Sequence, residues 1–183
     1  MAGGIGTGAF IHGSARAVIQ GGIFTSGSAG SGLEVADSAT VHVAGGQFNA
    51  GTNGHGLKVS GAAKVSTIGG VFEAGSSGNG ISTFDSSSLS VYGGSFKGGP
   101  TKYGIVTNGA SRVIRRGGTL VPRSFGPVDY VVYDGSTIAH WAGLGALNTV
   151  QKVATWVGSR SILWFLNSMK FVSTPANKAN FTK

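Results

Sequence analysis

Apolar and polar positions in this chain recur at a fixed interval of 24 residues. One apolar column reads Ala9, Leu33, Leu57, Ile81, Ile105, and two residues further on stand Ile11, Val35, Val59, Thr83, Thr107. A third column holds Ala17, Val41, Val65, Leu89, Val113, and a fourth Ile19, Val43, Thr67, Val91, Arg115. Between them lie variable, mostly polar residues. Period-two alternation over short runs bounded by Gly, Ser and Asn predicts strands, about three to each unit. Gly8, Gly32, Gly56, Gly80 and Gly104 open five units without insertion: 8–31, 32–55, 56–79, 80–103 and 104–127. Each carries a Gly-Gly pair, from Gly21-Gly22 to Gly117-Gly118, and two residues after it Phe24, Phe48, Phe72, Phe96 or Leu120.

A unit of this size cannot bury its apolar face alone. Stacking units in register places like residues over like and buries a continuous core. The predicted structure is therefore a parallel β-helix, one unit to a coil, with neighbouring coils ~4.8 Å apart. The Phe column becomes an interior stack, in which one Phe→Ala change costs about 3–5 kcal/mol. The Gly-Gly pairs are expected at bends where a side chain clashes or φ is positive. The runs Ser38–Phe48, Ala62–Phe72 and Ser86–Phe96 resemble the repeat of right-handed parallel β-helix proteins, which occurs in surface, adhesin-like and polysaccharide-processing proteins. The resemblance covers residues 8–127 and implies an all-β, right-handed, single-stranded parallel β-helix. The absence of a hexapeptide pattern argues against a left-handed one.

A sixth, degenerate coil is expected when Tyr130–Gly143 is aligned with Gly104–Gly117, with Val131, Tyr133, Ala139 and Trp141 pointing inward. The β-helix would then occupy residues 1–143. From Leu144 the apolar spacing turns helical: Leu147, Val150, Val153, Ala154 and Val157 share one face, and Ile162, Leu163, Phe165, Leu166 and Met169 resume it after Gly158. A C-terminal helical extension or cap over 144–172 and a loose tail over 173–183 are therefore expected. Only seven residues precede the first coil. Its apolar end around Phe24 is expected to be covered by another chain or by sequence preceding this one.

Composition sharpens this picture. Of 183 residues 34 are glycine, against an average near ~7%. That load is incompatible with a long helical protein, and glycine does not fall at every third position, as collagen requires. Cysteine is absent, which removes disulfides and thiolate metal sites. Charge is one-sided. Residues 1–96 hold three bases and four acids, a net of −1; residues 97–183 hold eleven bases and two acids, a net of +9. The second half is thus suited to an acidic partner. No secretory signal pattern and no run of about 18 apolar residues is visible. A surface location and a place in a large complex, membrane-associated or not, both fit.

Several residues invite a chemical reading. Asp37 and Asp85 share a column with Gly13, Gly61 and Gly109, two coils and so roughly 9–10 Å apart, near the upper end of an inverting glycosidase pair. Asp-Ser is also a natural turn start, and the turn role is the stronger reading. His12, His42, His55 and His140 show no metal-ligand spacing. Gly4-Ile-Gly-Thr-Gly8 follows no strand and opens no helix, so it is not read as a phosphate loop. Asn180-Phe-Thr182 is a glycosylation sequon. Arg16, Lys64 and Arg112 share an outward column with Thr40 and Ser88 between them, a ladder suited to sulfate or carboxylate groups. The C-terminal third mixes aromatic and basic residues as interfacial segments do.

The chain is accordingly read as a non-catalytic structural or scaffold subunit without a cofactor. It docks into a larger assembly through Arg112, Arg115, Arg116, Arg123, Lys152, Trp156, Arg160, Trp164 and Lys170. Other protein subunits are the expected partners, with an anionic surface, membrane or acidic polysaccharide, as the alternative; sequence-specific nucleic acid is not expected. The competing reading is an extracellular carbohydrate-binding or carbohydrate-active β-helix of the adhesin or tailspike type.

Overall fold

The computed structural model describes Gly4, residues 6–121 and four further strands, Tyr130–Val132, Thr137–His140, Ile162–Phe165 and Lys170–Ser173. Coil 1 consists of β1 (Ala9–Ile11), β2 (Arg16–Ile19) and β3 (Ile23–Thr25), and coil 2 of β4 (Leu33–Val35), β5 (Thr40–Val43) and β6 (Gln47–Asn49). In coil 3, β7 (Leu57–Val59) is followed by the long β8 (Lys64–Glu73), and in coil 4, β9 (Ile81–Thr83) by β10 (Ser88–Lys97). Coil 5 holds β11 (Ile105–Thr107), β12 (Arg112–Arg115) and β13 (Thr119–Val121). The chain is an all-β parallel solenoid of about five turns. One sheet runs β1-β4-β7-β9-β11; a second stacks β2-β5-β8-β10-β12 and carries β3, β6 and β13 on its other limb. Every pairing among these five coils is parallel, and 24 residues separate partners such as Ala9 and Leu33, or Phe48 and Phe72.

The interior follows the columns. Leu33, Val35, Val41, Val43 and Phe48 are almost fully buried, as are their counterparts in coils 3 and 4. The rings of Phe24, Phe48, Phe72 and Phe96 lie nearly parallel, with centroids 5.0, 4.7 and 4.8 Å apart. The coil spacing sets this stack, because each ring rides on a strand hydrogen-bonded to the next. The columns also contain hydroxyls, and these find partners across coils. The Thr67 hydroxyl donates to the Gly93 carbonyl at 2.9 Å, and Thr83 and Ser111 share a bond of 2.9 Å. A further interior column, Ala39, Ala63, Ser87, Ser111, is fully buried and uniformly small.

The two glycines of each pair serve different ends. From coil 2 onward a Cβ on the first would collide with the coil before it: on Gly45 it would stand 2.6 Å from the Gln20 carbonyl oxygen, and on Gly69 it would meet that of Ala44. The second has positive φ in every unit, 111° at Gly46 and 97° at Gly70, where an L side chain is strained.

Beyond coil 5 the register departs from the sequence expectation by one residue. β14 (Tyr130–Val132) pairs β11 with Ile105 opposite Tyr130, and β15 (Thr137–His140) pairs β12 with Val113 opposite Ile138. The columns therefore pass through Tyr130, Val132, Ile138 and His140, not through Val131 and Ala139; Tyr133 and Trp141 lie outside the described residues. Partners here are 25 residues apart, not the 26 that aligning Tyr130 with Gly104 implies, and a slip of one exchanges the two faces of a strand. Within the stretch expected to be helical, the described segments are strands. β16 (Ile162–Phe165) continues the sheet parallel to β15, and β17 (Lys170–Ser173) turns back antiparallel to it. The remainder of 144–172 and the tail from 174 lie outside the described residues.

Candidate functional site

The outward face of β2, β5, β8, β10 and β12 carries the cationic ladder. Arg16 pairs in register with Thr40, Thr40 with Lys64, Lys64 with Ser88 and Ser88 with Arg112. Strand alternation puts this column outside, because the next residue inward, such as Val41 or Val65, is core. Arg16, Lys64 and Arg112 are exposed, and among the described residues no ion pair involves them. Lys58 and Lys97 differ: they meet Glu34 at 2.8 Å and Glu73 at 3.5 Å across one coil spacing. Beside the ladder runs Val18, His42, Ser66, Ser90, Ile114, in which His42 Nδ1 and Ser66 Oγ are hydrogen-bonded at 2.8 Å. Arg116 lies over the ring of half-exposed Tyr92, 5.5 Å from its centroid, and donates to its hydroxyl at 3.0 Å.

Of the docking residues expected from sequence, Arg112 and Arg116 are on the surface. Arg115 is not: it occupies the interior column of β12, is 5% exposed, and donates to the Gly118 carbonyl at 2.6 Å. Parity along the strand decides this, since Arg115 follows Val113 by two. Trp164 and Lys170 fall on β16 and β17, and Trp164 stands opposite Phe171 in the hairpin register. Arg123, Lys152, Trp156 and Arg160 lie outside the described residues.

Asp37 and Asp85 are turn residues. Both have left-handed φ, 60° and 57°, like Gly13, Gly61 and Gly109 in their column. The Oδ2 of Asp37 accepts the Gly13 N–H and that of Asp85 the Gly61 N–H, each at 2.9 Å. Each carboxylate is thus engaged with the backbone of the preceding coil.

Sequence reading missed a polar cluster at the opening of the first sheet. His55 Nδ1 accepts the Asn79 N–H at 3.0 Å, and Asn79 Oδ1 in turn accepts the Tyr103 N–H at 3.1 Å. These residues occupy one column, so each side chain caps the backbone of the next coil. Ser82 Oγ lies 3.2 Å from His55 Nδ1 and accepts from Asn79 Nδ2 at 3.1 Å. The serine is fully buried and its acceptor nitrogen already serves a backbone donor. The pair is built for cohesion rather than nucleophilic attack. Burial lowers the His55 pKa below its ordinary value, Lys58 adds to this, Glu34 opposes it and Lys102 lowers it further. The signal was present in the sequence as a column of hydrogen-bonding side chains beside the strand start. Among the described residues no group of three His, Asp or Glu is placed to hold a metal ion, and no helix is long and apolar enough to cross a membrane.

No protein-family model matches the chain, and neither a curated protein nor a solved structure matches it.

Proposed function

We propose that the chain is a non-catalytic structural subunit: a stiff, right-handed solenoid rod that assembles with other polypeptide through its ends. Right-handed winding follows the general preference of crossovers between parallel strands. The observation that carries the reading is the contrast between the first two coils. Leu33, Val35, Val41, Val43 and Phe48 are sealed, whereas Ala9, Ile11, Ala17, Ile19 and Phe24, in the same columns, are only partly buried. Among the described residues, β1, β2 and β3 each lack a strand neighbour on the side away from coil 2. An open apolar section bordered by unpaired strand edges is a template for further strands. The basic, aromatic C-terminal region of the sequence, which includes β16 and β17, is the second docking region of this reading.

Light scattering of the purified chain, combined with hydrogen exchange across residues 8–31, tests this. The expected result is an oligomer or hetero-complex in which coil 1 is as protected as coil 2, reverting to a fraying monomer in an Ala17→Lys variant. A monomer at high concentration with coil 1 already fully protected would overturn the reading.

A further inference from the structure

We propose that the column Arg16–Thr40–Lys64–Ser88–Arg112 is a binding track for an extended acidic polysaccharide that carries a carboxylate on every second sugar. This goes beyond the scaffold reading and does not rest on it. The register puts a cation in coils 1, 3 and 5 and a hydroxyl in coils 2 and 4. Neighbouring cations are therefore two coils, or ~9.6 Å, apart along the rod. One sugar of an extended chain is about as long as one coil spacing, so a polymer of alternating acidic and neutral sugars meets a cation at each acidic unit.

The surroundings support the same partner. The adjoining column presents short polar groups at its centre, Ser66 and Ser90, which suit sugar hydroxyls, and neither column contains an acid. Along the chain the nearest carboxylates are those of Asp37 and Asp85, three residues before Thr40 and Ser88. They belong to the corner turns of the hydroxyl-bearing coils, and each reaches back to the Gly13 or Gly61 amide of the cation-bearing coil before it. The ladder thus repeats over two coils, a cation in one and a hydroxyl in the next. A polymer charged on every sugar sets its intervening carboxylates against Thr40 and Ser88, where no cation neutralises them, and is disfavoured. Nucleic acid is disfavoured too, since its charges lie closer than the cations, ~3.4 Å apart along each strand of a duplex.

The test is calorimetric titration of the full chain with oligosaccharides of equal length: an alternating glucuronate/N-acetylhexosamine chain, an oligogalacturonate and a neutral chain. A duplex oligonucleotide serves as the further comparison. The alternating chain is expected to bind most tightly, and more weakly as salt rises. Each of Arg16→Gln, Lys64→Gln and Arg112→Gln is expected to weaken it by about twofold to fivefold. The decisive variant is Lys64→Ser with Ser88→Lys, which keeps the net charge and breaks the two-coil spacing. It should bind the alternating chain as weakly as Lys64→Gln does, with an unchanged circular dichroism spectrum. The proposal is overturned by no binding of the alternating chain. Equal binding of the oligogalacturonate, tighter binding of the oligonucleotide, or full affinity in the spacing variant would also overturn it.

Discussion

The Asp85 carboxylate accepts the Gly61 amide proton one coil back, at 2.9 Å, while Asp85 itself sits at a φ of 57°. An aspartate in the left-handed region costs more than glycine, and the hydrogen bond offsets part of that cost. Asp85→Asn and Asp37→Asn retain an acceptor and a residue type that tolerates this conformation. Each should change stability by less than about 1 kcal/mol in urea titration. Asp85→Ala loses the bond and keeps the strain, and should cost about 1–3 kcal/mol. A glycan-cleaving activity lost in folded Asp→Asn variants would show that these carboxylates do chemistry as well.

The Gly-Gly pair makes a sharper case, because the same column has different neighbours at the end of the rod. A Cβ on Gly21 meets nothing within 4 Å, whereas one on Gly69 meets the Ala44 carbonyl. Gly21→Ala should leave the urea midpoint unchanged or slightly raised, since it narrows the unfolded ensemble. Gly69→Ala should be destabilising by at least about 1–3 kcal/mol through overpacking.

Within the aromatic stack, Phe72 is fully buried between two rings, and Phe24 is partly buried against one. Phe72→Ala is expected to cost about 3–5 kcal/mol, and Phe24→Ala clearly less. Equal losses in chemical denaturation would mean that coil 1 is covered in solution.

His55 gives the fold a pH dependence of definite sign. Its folded-state pKa lies below the ordinary value of 6.5, so the unfolded chain binds the extra proton first. Its contribution is fully present above ~6.5 and is lost as the pH falls from there towards the folded-state pKa. Protonation at Nδ1 also removes the acceptor for the Asn79 amide. Urea midpoints at pH 7.5 and 5.5 should fall with acidity in the native chain. The fall should be smaller in His55→Gln, whose side chain does not titrate.

Much of this solenoid was legible in the sequence because repetition makes each position a fivefold observation. The apolar columns, the Phe stack, the Gly-Gly bends and the turn role of Asp37 and Asp85 all follow from a period that neighbouring coils must share to pair their backbones. Legibility failed where the repetition stops. After Val121 no repeat remains to fix the phase, so the sixth coil was read one residue out of register. For the same reason, Ile162–Phe165 looked helical although it continues a sheet.

Sequence alone determined the coil length, the stacking of like on like and the position of the cationic column, because alternation and period are properties of the chain itself. Only the tertiary structure decided what depends on contacts between coils. It set the Arg115 guanidinium on the Gly118 carbonyl and that of Arg116 over the Tyr92 ring. It tied His55, Asn79 and Ser82 into one network, and it distinguished Gly21 from Gly69 by the presence of a preceding coil. A one-dimensional pattern records which residues recur, but burial, hydrogen bonding and steric contact are set by what the neighbouring coil brings to each of them.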